Sequence, residues 1–191
     1  MRRLMIRVTL MVAALGLLGS VTTVGASAAT TDRFILVTEA NSPFGKGTVG
    51  CCTITSDANG KLVSAELSYR GGDYGMLRAR ADVADAWEKF ELSVSDSTWT
   101  IKSNANQKFV SAELNYGGGD YGMLRARADV ADAWEKFDLY YNEAQNLYAF
   151  KSQANGKFVS AELSYGGGDY GMLRARATEI QAWETFRLGS F

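Results

Sequence analysis

"GGDYGMLRARADVADAWEKF", residues Gly71–Phe90, returns letter for letter at Gly118–Phe137, and a third version, "GGDYGMLRARATEIQAWETF", runs from Gly167 to Phe186. Asp73, Asp120 and Asp169 therefore fall in register, at spacings of 47 and 49 residues. The register extends upstream through "SDANGKLVSAEL", "SNANQKFVSAEL" and "SQANGKFVSAEL". Each unit reads as four short strands: one ending at Ser56, Ser103 or Ser152, one through "VSAEL", one through "MLRARA", and one through "WEKFEL" or its equivalents. Ala-Asn-Gly and Gly-Gly-Asp-Tyr-Gly supply the turns between them. "ADVADA" is too short for more than a turn or two of helix and serves as the connection into the last strand.

Alternation separates inside from outside. Leu77, Ala79 and Ala81 share one face of "MLRARA" and Arg78 and Arg80 the other, while Val63, Ala65 and Leu67 alternate in the same way. Leu and Ala are expected to point inward. Three units of four strands make twelve, and their edges must be covered because open strand edges invite aggregation. A propeller typically needs at least four blades. A β-trefoil, a six-stranded barrel capped by three hairpins about a pseudo-threefold axis, fits both strand count and length, with a threefold β-prism as the second choice. The all-β trefoil is read over 51–191, with repeats at about 51–97, 98–146 and 147–191. Residues 29–50 have no counterpart in the repeat, and "RFILV" within them is expected to be an added arm or edge strand.

The first 28 residues read as a secretory signal peptide: Arg2, Arg3 and Arg7, an apolar run Val8–Leu18, then Ala26-Ser27-Ala28. The run is short for a membrane span, and no later stretch approaches the length that insertion needs. The expected product is secreted, by general secretion or by the twin-arginine route. Cleavage after Ala28 leaves 163 of the 191 residues, one ordinary domain. It also moves the formal charge from −1 to −4. That balance argues against nucleic acid and anionic membrane as partners, since both are bound through basic side chains. Cys51 and Cys52 are adjacent, so no long-range disulfide framework exists. They form either a strained vicinal bridge or two reduced, packed thiols.

The pattern "ANGKFVSAEL…GGGDYGMLRARA…AWETF", which covers nearly everything from Cys52 to Leu188, resembles the fascin-like β-trefoil family. The resemblance implies the trefoil fold. For function it implies one of two things. Eukaryotic members bundle actin, whereas exported bacterial members are similar to carbohydrate-binding modules, including β-glucan binders that use a Trp and a Glu in each repeat.

If Phe90 and Leu92 face the core, alternation sends Trp87, Lys89 and Glu91 outward, and Trp134 and Trp183 with them. Three exposed indoles at equivalent positions suit the apolar face of pyranose rings. Glu88, Glu135 and Glu184 beside them supply acceptors for hydroxyls, with Asp73, Tyr74 and Arg78, Asp120, Tyr121 and Arg125, and Asp169, Tyr170 and Arg174 as further ligand-binding candidates. Each set has a structural alternative. The Trp residues can close a barrel end, the Glu residues can cap a turn or pair with Arg80, Gly-Asp-Tyr-Gly is also hairpin-turn chemistry, and the arginines can be a solvated strand face. Duplication alone could explain the agreement of Ser64–Phe90 with Ser111–Phe137 at all but two of 27 positions, yet "CTIT", "WTIK" and "YAFK" have drifted.

Catalysis is the least expected class. The chain has no His, no Ser nucleophile elbow and no Cys paired with a base, and two carboxylates flanking one glycosidic bond would have to recur around a small barrel. No cofactor or metal is expected. The favoured reading is a monomeric, non-catalytic lectin or carbohydrate-binding module that holds a neutral polysaccharide such as β-glucan at up to three equivalent sites. A fascin-like actin-binding or filament-bundling scaffold is the alternative, and an exported structural or inhibitory trefoil a third.

Overall fold

Period-two alternation is visible in the burial of the strands themselves. Along β5 (Phe90–Ser95) and β6 (Thr98–Ser103) every second side chain is buried, beginning with Phe90 and Trp99. The computed structural model describes residues 33–45 and 48–190, with residues 48–51 described by their backbone alone. Residues 1–28, read from the sequence as a signal peptide, and the Cys51 side chain lie outside the described residues. Cys52 is buried in the core.

The remaining strands are β1 (Ile35–Val37), β2 (Thr48–Ser56), β3 (Leu62–Glu66), β4 (Met76–Ala81), β7 (Phe109–Glu113), β8 (Met123–Ala128), β9 (Phe137–Asn142), β10 (Leu147–Ser152), β11 (Lys157–Glu162), β12 (Met172–Ala177) and β13 (Phe186–Ser190). All are antiparallel. Six of them close on themselves in the order β2, β5, β6, β9, β10, β13 and back to β2. The hairpins β3–β4, β7–β8 and β11–β12 cover one end of that ring. They meet one another through Met76 opposite Arg125, Met123 opposite Arg174 and Met172 opposite Arg78. Closure of the ring and mutual pairing of the hairpins together leave few free edges. Among the described residues there is no α-helix, only 3₁₀ turns of three residues each.

The core is built from the residues that alternation points inward. Phe90, Phe137 and Phe186 are fully buried, packed with Leu77, Leu124 and other apolar side chains of the hairpins. A second cluster lies where the hairpins meet: Met76, Met123 and Met172, surrounded by Tyr69, Tyr116 and Tyr165. At the other end the chain before β2 acts as a cover. β1 pairs along β9, Val37 accepts a hydrogen bond from Trp99 Nε1 at 2.9 Å, and Phe44 stacks on Tyr148 with ring centroids 5.6 Å apart. β2 starts at Thr48, ahead of the boundary read at residue 51, because 48–50 continue the pairing with Ser93, Leu92 and Glu91.

Glycine matters most where the hairpins touch. Gly75, Gly122 and Gly171 have φ between 77° and 80°, and a Cβ on each would stand 2.6 Å from the carbonyl oxygen of Ala126, Ala175 or Ala79. The same contacts carry backbone hydrogen bonds of 2.7 Å from Ala126, Ala175 and Ala79 to the three glycine carbonyls. A side chain here meets both a left-handed backbone and a steric clash. Gly75→Ala is therefore expected to lower stability by more than about 2 kcal/mol in urea unfolding. Gly60→Ala, also at positive φ but with open space around it, should lose only about 1 kcal/mol. Equal losses in the two variants would remove the steric part of this account.

Candidate functional site

Each indole of interest sits in a 3₁₀ turn, Ala86–Glu88, Ala133–Glu135 or Ala182–Glu184, just before the last strand of its unit. This differs from the sequence expectation in two ways. The helical turn comes at Ala-Trp-Glu rather than along "ADVADA", and Trp87 precedes β5 instead of lying on it. Its exposure thus comes from the turn and not from strand alternation. The local cause is a cap: Glu88 Oε2 accepts the backbone N–H of Asp85 at 2.9 Å, Glu135 that of Asp132 and Glu184 that of Gln181 at the same distance. With the turn tied down, Phe90 enters the core and Trp87 is left 37 % exposed; Trp134 and Trp183 are half-buried.

Beside each indole lies a shallow hollow. The first, about 470 Å³, is lined by Arg80, Val83, Asp85, Ala86, Trp87 and Glu88. The second, about 480 Å³, has Ala128, Val130, Asp132 and Ala133 around Trp134 and Glu135. The third, also about 480 Å³, has Arg176, Glu179 and Gln181 around Trp183 and Glu184. The indoles are therefore neither sealed in the core nor scattered on a convex surface. Glu88, Glu135 and Glu184 line the hollows but are only 5–6 % exposed. One carboxylate oxygen of each is committed to the turn, and Glu135 Oε1 also accepts the hydroxyl of Ser111. The structural alternative of a capping role is thus real for these residues. It was legible as the Asp-x-x-Glu spacing of Asp85 and Glu88.

The arginine assignment needs correction. Arg78, Arg125 and Arg174, proposed from the sequence as ligand donors, are 6–7 % exposed and face the neighbouring hairpin. Arg78 donates from Nε and Nη2 to the Tyr170 carbonyl at 2.9 and 2.8 Å and from Nη1 to the Tyr69 hydroxyl. Arg125 reaches the Tyr74 carbonyl at 2.8 Å, and Arg174 the Tyr121 carbonyl at 3.0 and 2.8 Å. Their donors are spent on backbone, because the face of β4 opposite the barrel is itself covered by another hairpin near the axis. Asp73, Tyr74, Asp120, Tyr121, Asp169 and Tyr170 are exposed, but they belong to the turns at that axial end. β4 separates the two ends by five residue steps, roughly 16 Å, so these groups do not join the indole hollows.

The arginine that does reach the first hollow is Arg80, missed in the sequence. Its Nε and Nη2 bind Glu66 at Oε1 and Oε2, the second at 2.8 Å, and Arg127–Glu113 and Arg176–Glu162 repeat the fork. Glu66 is fully buried while Arg80 is exposed, so the acid anchors the guanidinium beside the first hollow. The hydrogen bond to Glu66 raises the pKa of Arg80 above its ordinary value against the opposing effect of burial, and Arg127 and Arg176 shift the same way through Glu113 and Glu162. The clue was the Glu of "VSAEL" at a polar strand position, paired in a hairpin with an Arg-bearing strand. Among the described residues no group of three or more His, Cys, Asp and Glu side chains is placed to hold a metal ion.

No protein-family profile and no curated protein sequence matches the chain. Solved structures do match in three dimensions. The designed threefold-symmetric protein ThreeFoil superposes with a TM-score of 0.62 at 12 % identity, over 74 % of this chain and 99 % of its own. The BEL β-trefoil gives 0.58 at 10 % identity over 81 % and 100 %. A ricin B-like lectin from Macrolepiota procera, solved in complex with lactose, gives 0.56 at 14 % identity over 75 % and 95 %. At these identities the likeness establishes the β-trefoil fold and nothing finer.

The spent arginines generate a prediction. Arg78→Met keeps the aliphatic stem but leaves the Tyr170 carbonyl and Tyr69 hydroxyl without their partner, and should cost about 2–4 kcal/mol of stability. Lys61→Met, which loses only an exposed pair with Asp82, should cost less than about 1 kcal/mol in the same chemical denaturation experiment. The reverse ranking would return Arg78 to the surface and to the list of ligand donors.

Proposed function

We propose that this β-trefoil is a secreted, non-catalytic carbohydrate-binding protein that holds a neutral polysaccharide, of the β-glucan type, through up to three hollows at Trp87, Trp134 and Trp183. The observation that carries this reading is the recurrence of a partly exposed indole flooring a shallow hollow at each equivalent turn. An indole face accepts the C–H face of a pyranose ring, and such a platform is wasted on water. The carboxylate oxygens of Glu88 and Glu184 that the turn does not use accept sugar hydroxyls, and Arg80 and Arg176 in the same hollows donate to the ligand. Asp73, Tyr74, Arg78 and their counterparts stand at the axial end and do not line these hollows.

The shape of the hollows suits binding better than turnover. They are open, and in each the glutamate beside the indole is committed to the backbone of its own turn. A shallow sugar site is weak alone, near the millimolar range or about −4 kcal/mol. Two or three engaging one polymer raise retention by roughly 10² to 10⁴. The mature charge of −4 favours a neutral glycan over an acidic one. Fold likeness to a lactose-bound lectin is consistent with a sugar partner, as analogy only.

Replacing Trp87, Trp134 and Trp183 together by Ala should abolish retention on insoluble β-glucan, each indole contributing on the order of 2 kcal/mol. The melting temperature should change little, because none of the three is in the core. Pull-downs with cellulose, mannan and filamentous actin in parallel distinguish this from other ligands. Actin co-sedimentation without glycan retention would replace the reading by the filament-binding one, and an unfolded triple variant would make the indoles structural.

A further inference from the structure

The three hollows are not copies of one another. Val83 and Val130 form part of the wall in the first two, and they are 71 % and 65 % exposed, so they bury little of their own fold. In the third unit the loop reads Thr178-Glu179-Ile180-Gln181 in place of Asp-Val-Ala-Asp. Glu179 stands where the valine does, Gln181 where Asp85 and Asp132 do, and both line the third hollow. Ile180 lines a neighbouring hollow instead, beside Phe34 and Leu147. The ion pairs Lys61–Asp82 and Lys108–Asp129 pin the first two loops to their hairpins. Their third counterpart would be Lys157 with Thr178, which cannot form one.

We propose that, granted the glycan-binding reading above, the protein is effectively bivalent: the hollows at Trp87 and Trp134 bind a neutral saccharide alike, and the hollow at Trp183 binds it at least about tenfold more weakly. Val83 and Val130, with Asp85 and Asp132, are the specificity-determining residues. A ring stacked on Trp87 or Trp134 lays its apolar edge against valine methyl groups, whereas at Trp183 it meets a carboxylate that must either lose its hydration or swing away. The change from Asp to Gln also replaces a charged acceptor of sugar hydroxyls by a neutral one, and charge-assisted hydrogen bonds are roughly twice as strong.

The chain has four tryptophans, and Trp99 is buried with its indole N–H bonded to Val37, so its signal is an internal reference. Indole N–H resonances assigned by single Trp→Phe variants are followed while laminari-, cello- and manno-oligosaccharides are added in turn. The expected result is that Trp87 and Trp134 shift over one concentration range and Trp183 over a range at least about tenfold higher. The variant E179V/Q181D should bring Trp183 to within about twofold of the others. If all three surface indoles shift together in the native chain, the inequivalence is wrong while glycan binding stands. If Trp183 responds first, or E179V/Q181D leaves its range unchanged, the assignment of specificity to these positions is wrong. If no indole moves with any of the oligosaccharides and no insoluble glycan retains the protein, the glycan reading fails and this inference with it.

Discussion

Closure around the axis is the constraint on which the rest of this molecule depends. Three hairpins meet head to side, and each presents a glycine carbonyl to the backbone of the next and two carbonyls of its Gly-Gly-Asp-Tyr-Gly turn to the next arginine. Arg78 reaches the turn of the third unit, Arg125 that of the first and Arg174 that of the second. No unit can satisfy these groups by itself. The buried guanidinium charges are tolerable because tyrosine hydroxyls and backbone oxygens surround them, so the ring is both the source of order at the axis and the place where a lost partner costs most.

That circular dependence explains why "GGDYGMLRARA" is spelled the same way three times. Each copy is donor to one neighbour and acceptor to the other, so a change in one motif strains two interfaces at once. The strands at the far end of the barrel face no such demand. Cys52, Trp99 and Tyr148 occupy equivalent places opposite Phe90, Phe137 and Phe186, and Phe44 packs against the two larger of them, Trp99 and Tyr148. Closure therefore constrains the axial end of each unit more than the far end. The indoles are another matter, since closure does not use them and the core does not contain them.

The fold was legible because alternation and the repeat period are local signals: Leu77, Ala79, Phe90 and Leu92 are buried as their spacing requires. The arginines were not. Alternation puts Arg78 and Arg80 on one face of β4 and cannot say that the first is roofed by a hairpin about 90 residues away while the second, two positions nearer the rim, is not. The double part played by Glu88 and the place of Glu66 were hidden for related reasons. The turn geometry that buries Glu88 was written in its offset from Asp85, but a surface role beside an indole was equally compatible with the letters. The pairing of Glu66 with Arg80 needed the register of the hairpin, which a bulge at Leu62 and Val63 shifts.

The division between axis and rim also says where this scaffold can change at little cost. Substitutions in the Gly-Asp-Tyr-Gly turn or at the buried arginines propagate around the ring. Those in the loop from β4 to the following 3₁₀ turn touch one hollow and leave the other two intact. The third unit differs from the first two in that loop, at Thr178, Glu179, Ile180 and Gln181, while Gly171 and Arg174 keep the same contacts as their equivalents. A threefold frame of this kind can therefore hold three turns at fixed mutual spacing while each hollow acquires its own chemistry, and valency becomes a property of short loops rather than of the fold.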